Sequence, residues 1–267
     1  MTTIADHLHP LTRDFLARLP ASHRPGKQLH RTPDGRVVGD WFGLALSSAF
    51  QPIVDGRTGQ VAGHEAFLRS AAPDNQGLSP WTLFSTAADD ARLIALDRLA
   101  RTVHLLNALV AGSKRPLFLN VHGRLLAAVA DDHGRAFRRV VGALGVAPER
   151  IVIETPVEAG EQPDLLAFVL RNYRNNGFRV AVNVESPAQW QHIASSAWPQ
   201  YVKIDRRKLG PPEEARERIE WLNALRNDST LIVTHMEDAA DIGLSVHILL
   251  QGYAFGHPAP APTDSAA

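Results

Sequence analysis

From Phe50 onward, short apolar runs alternate with amphipathic stretches of about ten to fifteen residues, and this rhythm restricts the fold more than any other feature. The runs are FQPIVD (50–55), QVAGHEAFLR (60–69), PLFLNV (116–121), RIVIETP (150–156), FRVAVNV (178–184), YVKID (201–205), TLIVTHM (230–236) and HILLQGY (247–253). The first two flank GRTG (56–59) and read as a hairpin. The others are separated by helical patterns near 134–144, 162–174, 187–195 and 212–226, and by a short helix after Met236. A single long helix is expected over 81–110, where Leu93, Leu96, Leu99, Val103 and Leu106 recur at three- and four-residue spacings. Apolar strands alternating with helices bury both faces of a parallel sheet. About eight such strands favour a closed (β/α)8 barrel over an open sheet, with the first hairpin strand as the antiparallel one.

A barrel of this size fits a chain of 267 residues that is 45% hydrophobic. Residues 1–45 read as a short N-terminal extension, with a helix near 11–19 and a Pro/Gly/basic loop, PASHRPGKQLHRTPDGR. The barrel is expected over 46–260, and the Pro/Ala-rich end, 261–267, as a loose tail. Lysine plus arginine equals aspartate plus glutamate, 28 each, so nothing electrostatic argues for nucleic-acid or anionic-membrane binding. The absence of cysteine excludes disulfides, thiolate metal sites and cysteine nucleophiles. No apolar run reaches the roughly 18 residues a membrane span needs, and the first residues lack a signal-peptide pattern, so a cytoplasmic location is expected.

Polar residues fall at the C-terminal ends of the expected strands: Glu65, Asn120, Glu154, Asn183, Lys203 with Asp205, Thr234 and Gln251. In a barrel those ends converge on one mouth, where active sites sit. Lys203 and Asp205 are candidates for an ion pair within the barrel. Arg69 suits bidentate phosphate recognition, with a salt bridge to a nearby carboxylate as the plain alternative.

Taken in order, FQPIVDGRTGQVAGHEAFLR, LDRLA (96–100), LFLNV, IVIET, GFRVAV, YVKIDRRKL and LLQGYAFGHPAP resemble the EAL domain family of cyclic di-GMP phosphodiesterases. HEAFLR stands where the name-giving Glu-Ala-Leu is found, with Phe67 at the leucine. The resemblance implies a modified (β/α)8 barrel and, at its mouth, two divalent cations that activate water against a phosphodiester. It implies that Glu65, Asn120 and Glu154 ligate metal, that Lys203 stands near the attacking water, and that Glu237 flanks the site. Gln251 falls on a family position, while Arg69 and Gln51 match residues that contact a phosphate and a guanine.

The chain departs from the family where it should hold paired aspartates, at Asn183 and Val184, and where it should hold a further glutamate, at Thr234. SPAQWQ replaces a Gly-rich loop, and the span from Glu237 to Gln251 is about one helical turn short. Glu185 and His235 are weighed as replacement ligands; His235, displaced by one residue, is expected to face the wrong way. At most one weak Mg²⁺ or Mn²⁺ is expected, with no intact catalytic set beyond the remnant Lys203 and Glu237. The expected function is a cyclic di-GMP receptor that does not hydrolyse its ligand. The alternatives are a regulator that grips a protein partner without nucleotide, and an active phosphodiesterase with rearranged ligands. A homodimer is possible, because family members dimerise through the loop altered here.

Overall fold

Strands β3 (Leu44–Asp55) and β4 (Val61–Ala71) form a long antiparallel hairpin that seeds the sheet. Its turn is held by Asp55, whose Oδ1 accepts from the backbone N–H of Arg57 and Thr58 at 2.9 Å each. Parallel strands follow: β5 (Leu117–Asn120), β6 (Ile151–Thr155), β7 (Arg179–Val184), β8 (Tyr201–Asp205), β9 (Thr230–Thr234) and β10 (Leu249–Leu250). β10 pairs parallel with β9 and antiparallel with β3, so β3 to β10 close into a barrel. This computed structural model describes residues 7–72, 77–128, 134–194, 198–225, 228–238 and 247–264. No helix among them is long and apolar enough to cross a membrane.

Strand alternation sorts the apolar residues into two cores. Val180, Val182 and Val184 of β7 point outward and pack with Leu166, Val169 and Leu170 of α6 (Pro163–Asn175). Ile219 and Leu222 of α8 (Pro212–Leu225) belong to the same shell. Ala181 points inward and joins Ile53, Phe118, Val152, Ile232 and Leu249 in the barrel lumen. Gly63 makes room there: a Cβ on it would come within 3.0 Å of the Phe118 ring. Above this apolar plug the inward positions turn polar, which places the site.

Several expectations are corrected. The helix expected over 81–110 is two helices, α2 (Pro80–Ser85) and α3 (Asp90–Val110). The break comes from Asp89, which caps α3 by accepting from Arg92 N at 2.8 Å. A further short helix, α4 (Gly123–Ala128), precedes α5 (Arg135–Ala143), and α7 (Pro187–Ile193) follows β7. The last strand is shorter than 247–253, because the chain leaves β10 at Gln251. Gly252 lies so close to the Met236 backbone that no side chain fits there. The short helix expected after Met236 falls outside the described residues.

The N-terminal segment does more than carry a loop. Helix α1 (Pro10–Ala17) is pinned by Thr12 Oγ1, which donates to Leu144 O at 2.6 Å. Strands β1 (Leu29–Arg31) and β2 (Val37–Trp41) add antiparallel to β3, so the boundary expected near residue 45 falls inside one sheet. At the other end, His64 Nε2 and Thr263 O lie 2.7 Å apart, which ties down the described part of the tail.

Buried Asn107 of α3 clips β2 in place. Its Oδ1 accepts from Val37 N at 2.8 Å, and its Nδ2 donates to Val37 O at 2.9 Å and to Ser48 Oγ at 3.3 Å. Ser48 Oγ in turn shares a 2.7 Å hydrogen bond with His104 Nδ1. Burial, aided by the charge of Arg69, pushes the His104 pKa down to about 3, so the ring is neutral and acts as a structural group. Asn107→Ala leaves a buried N–H and a buried C=O of Val37 without partners. The substitution is expected to lower the unfolding free energy by roughly 2–4 kcal/mol in urea titrations, with β2 losing amide-exchange protection first.

Candidate functional site

The barrel mouth is a cavity of about 510 Å³. It is lined by Gln51, Glu65, Arg69, Glu154, Asn183, Lys203, Thr234, Glu237 and Gln251 among the residues expected from sequence. Inward-facing positions of alternate strands supply its floor: Glu65 from β4, Glu154 from β6 and Lys203 from β8, with Gln251 just past β10. All four are buried.

Lys203 Nζ donates to Glu65 Oε2 at 2.6 Å and to Glu154 Oε2 at 2.8 Å. The other donors complete the set. Asn120 Nδ2 donates to Glu65 Oε1 at 2.7 Å, and Gln251 Nε2 donates to Glu65 Oε2 at 2.9 Å. Asn183 Nδ2 donates to Glu154 Oε1 at 2.7 Å and to Thr155 O at 2.9 Å. Gln51 bridges to the segment after β10 beside it: its Nε2 donates to Gly256 O at 3.0 Å and its Oε1 accepts from Gln251 at 3.2 Å. Every oxygen of both carboxylates therefore accepts an N–H of the protein.

Burial opposes charge on all three central groups. For Glu65 the Lys203 ammonium and the amide donors prevail, and its pKa lies below the usual carboxylate range. For Glu154 burial prevails, reinforced by the charge of Glu65, and its pKa is raised to about 6. The two carboxylates hold the Lys203 pKa above its ordinary value despite burial, so the ammonium stays charged.

The structure moves some expected contacts. Lys203 does not pair with Asp205. One residue pair further up the strand, Asp205 reaches the rim and binds Arg207 and His235, with closest approaches of 2.6 and 3.2 Å. Asn120 lies behind Glu65 and faces a neighbouring cavity with Asp97 and Arg101. Glu185 turns away to the surface and pairs with Lys208. Val184 faces the helix shell, so its position is part of the outer core and not of the mouth. His235 does reach the mouth, against expectation, because its backbone is left-handed at φ 57° and breaks the strand alternation. Arg69 donates to Leu68 O at 3.0 Å and lies 5.8 Å from the Phe67 ring centroid. It forms no salt bridge among the described residues, so its charge faces the cavity.

Sequence reasoning passed over Arg207 and Tyr253, which also line the mouth. Both sit two residues beyond a residue already singled out, Asp205 and Gln251, and that spacing was the available signal. Tyr253 is 58% exposed and stacks on His257 at 4.2 Å between ring centroids, leaving an aromatic face open.

The EAL domain family matches residues 44–258, most of the chain. The chain belongs to the EAL domain family. A standalone versatile EAL protein from Vibrio cholerae O395, solved in its c-di-GMP-bound form, superposes with a TM-score of 0.66 at 20% identity, covering 83% of this chain and 95% of that one. The EAL domain of Xanthomonas citri FimX, in complex with c-diGMP, gives 0.64 at 17% identity over 82% and 91%. Klebsiella pneumoniae BlrP1, in a manganese/cy-diGMP complex, gives 0.63 at 19% identity, with 92% of this chain on 60% of that one. No curated protein matches the sequence. These likenesses carry the EAL fold.

The family implies a pair of divalent cations, and the donor chemistry here does not fit them. Hard cations require oxygen ligands, several of them charged. The floor instead aims an ammonium and three amide nitrogens at two carboxylates. Among the described residues no group of three or more His, Asp and Glu side chains converges on one point. If Lys203 is the cation that this floor depends on, Lys203→Met leaves two carboxylates facing one another unpaired. The expected loss is about 3–5 kcal/mol of stability at pH 8. Lys203 holds the Glu154 pKa down to about 6, so in the variant it lies higher; the loss shrinks as the pH falls and Glu154 takes up a proton, as parallel denaturation curves at pH 8 and pH 5 will show.

Proposed function

We propose that this EAL domain binds cyclic di-GMP at its barrel mouth without metal and without hydrolysing it. The observation that carries this reading is the saturation of Glu65 and Glu154 by protein N–H donors, with Lys203 as the resident cation. A hydrolytic site needs a polarised water beside the phosphorus. Here the carboxylates that would hold the activating ions are committed to hydrogen bonds. The EAL proteins of similar fold from V. cholerae, X. citri and K. pneumoniae were each solved with this nucleotide, which supports the choice of ligand.

Arg69 supplies a charged fork for a phosphate. Gln51 keeps one amide hydrogen and one lone pair free beyond its bonds to Gly256 and Gln251, enough to read the edge of a guanine. Tyr253 offers the face on which a base stacks. The cavity has room for part of a dinucleotide and opens to solvent for the rest.

Calorimetric titration with cyclic di-GMP, once with Mg²⁺ and once with EDTA, is expected to give the same Kd. Arg69→Ala is expected to weaken binding roughly tenfold to a hundredfold, as loss of a charge-assisted hydrogen bond does. Linear dinucleotide appearing with Mg²⁺ or Mn²⁺ would instead establish an active phosphodiesterase. Silence in both titrations would discard the nucleotide and favour a protein partner, for which exposed Trp198 and Trp221 are the first residues to probe.

A further inference from the structure

Asp205 ends β8 and organises the rim beside it. Its Oδ1 accepts from Arg207 N at 2.9 Å, which fixes the 3₁₀ turn Arg206–Lys208. Its carboxylate takes the Arg207 guanidinium as a fork, with Nε at 3.0 and 3.1 Å from the two oxygens and Nη2 at 2.6 Å. His235 Nδ1 lies 3.2 Å from Oδ2 and buttresses the same carboxylate from β9. His235 keeps this place in a left-handed conformation that favours glycine. The side chain of Asp205 is only 19% exposed while that of Arg207 is 64% exposed, so a sheltered anchor presents a cation to the cavity.

The barrel order adds a second, independent observation. β4 and β8 are separated by β5, β6 and β7 on one side and by β9, β10 and β3 on the other. Arg69 near the end of β4 and Arg207 just beyond β8 therefore stand across the mouth from one another, and both line its cavity. Between them lies the floor, where Lys203 is held by two carboxylates. Asp205 is the main negative charge on Arg207, and Glu237, exposed on the β9 side, adds a weaker one that an anionic ligand has to overcome.

We infer that Arg207 is a phosphate-binding residue positioned by Asp205, and that it and Arg69 grip the two ends of a ligand carrying two separated anions. The pairing deepens the nucleotide reading above and rests on it for the identity of the ligand, since cyclic di-GMP carries two phosphodiesters. It assigns the second phosphate to a guanidinium fixed by the protein, on the β8 side of the mouth.

The test is titration with cyclic di-GMP in EDTA at several salt concentrations. Arg207→Ala is expected to raise Kd at least tenfold and to flatten the slope of log Kd against log salt, as is expected of Arg69→Ala. Arg207→Lys keeps the charge but loses the fork, and is expected to recover only part of the affinity. Asp205→Asn, with Arg207 intact but unanchored, is expected to weaken binding while leaving the salt slope near that of the wild type. Equal Kd and equal slope for Arg207→Ala and wild type, with Arg69→Ala impaired, would overturn the inference and leave the nucleotide reading standing. If the wild type ignores the nucleotide, inorganic pyrophosphate decides the matter by NMR. A saturable shift of the backbone N–H signals of residues 206–208 that is absent in Arg207→Ala upholds the phosphate site without the nucleotide; unmoved signals end both.

Discussion

The Lys203 ammonium between Glu65 and Glu154 is the contact on which the mouth depends. Three alternate strands, β4, β6 and β8, each send one side chain to a common point near the barrel axis. Each group alone would be costly to bury, and together they offset much of that cost only because their geometry is good and the remaining lone pairs are filled. Asn120, Asn183 and Gln251 do that filling from β5, β7 and the end of β10. The polar layer therefore draws on most of the barrel. Phe118 lies directly beneath it, with its ring centroid 5.8 Å from Lys203 Nζ, so the apolar plug and the polar floor share a boundary.

Much of the fold could be read from the alternation of apolar runs and helical patterns, because burial on both strand faces leaves a periodic trace. What escaped that reading has physical causes. β1 and β2 are short, and their clip lies far along the chain in Asn107, so local pattern carries no sign of the pairing. The break between α2 and α3 hides inside continuous apolar spacing, since Asp89 both interrupts one helix and caps the next. β10 has little ladder of its own and is placed by what lies on either side of it, β9 and β3.

The floor of the site was legible for the same reason that the strands were. Once a strand is phased, Glu65, Glu154, Asn183 and Lys203 must point inward, and their partners follow from the barrel's order. The rim was not legible in this way. Strand phase ends at Asp205 and Thr234, and what comes next is set by a 3₁₀ turn and by a left-handed residue. Hence His235, displaced by one residue from an inward position, nevertheless faces the cavity, whereas Glu185, in phase with Asn183, does not. Alternation is a property of extended backbone and fails at the first residue that leaves it.

Asn183 and Val184 show how two neighbouring side chains can alter a site in different ways. An aspartate at 183 would bring a third carboxylate to within hydrogen-bond distance of Glu154, a repulsion relieved by an added cation or by a shared proton. Asparagine is nearly the same shape but reverses the sign of the contact, so the repulsion becomes a 2.7 Å hydrogen bond. Valine at 184 acts elsewhere, burying apolar surface in the outer shell beside Ile204 and extending the ladder between β7 and β8. One side chain sets the sign of a contact inside the floor; the other strengthens the strand that carries it. With Glu65, Glu154 and Lys203 all charged the floor keeps one net negative charge, so the positive charge left to act on an anionic ligand belongs to the arginines at the rim.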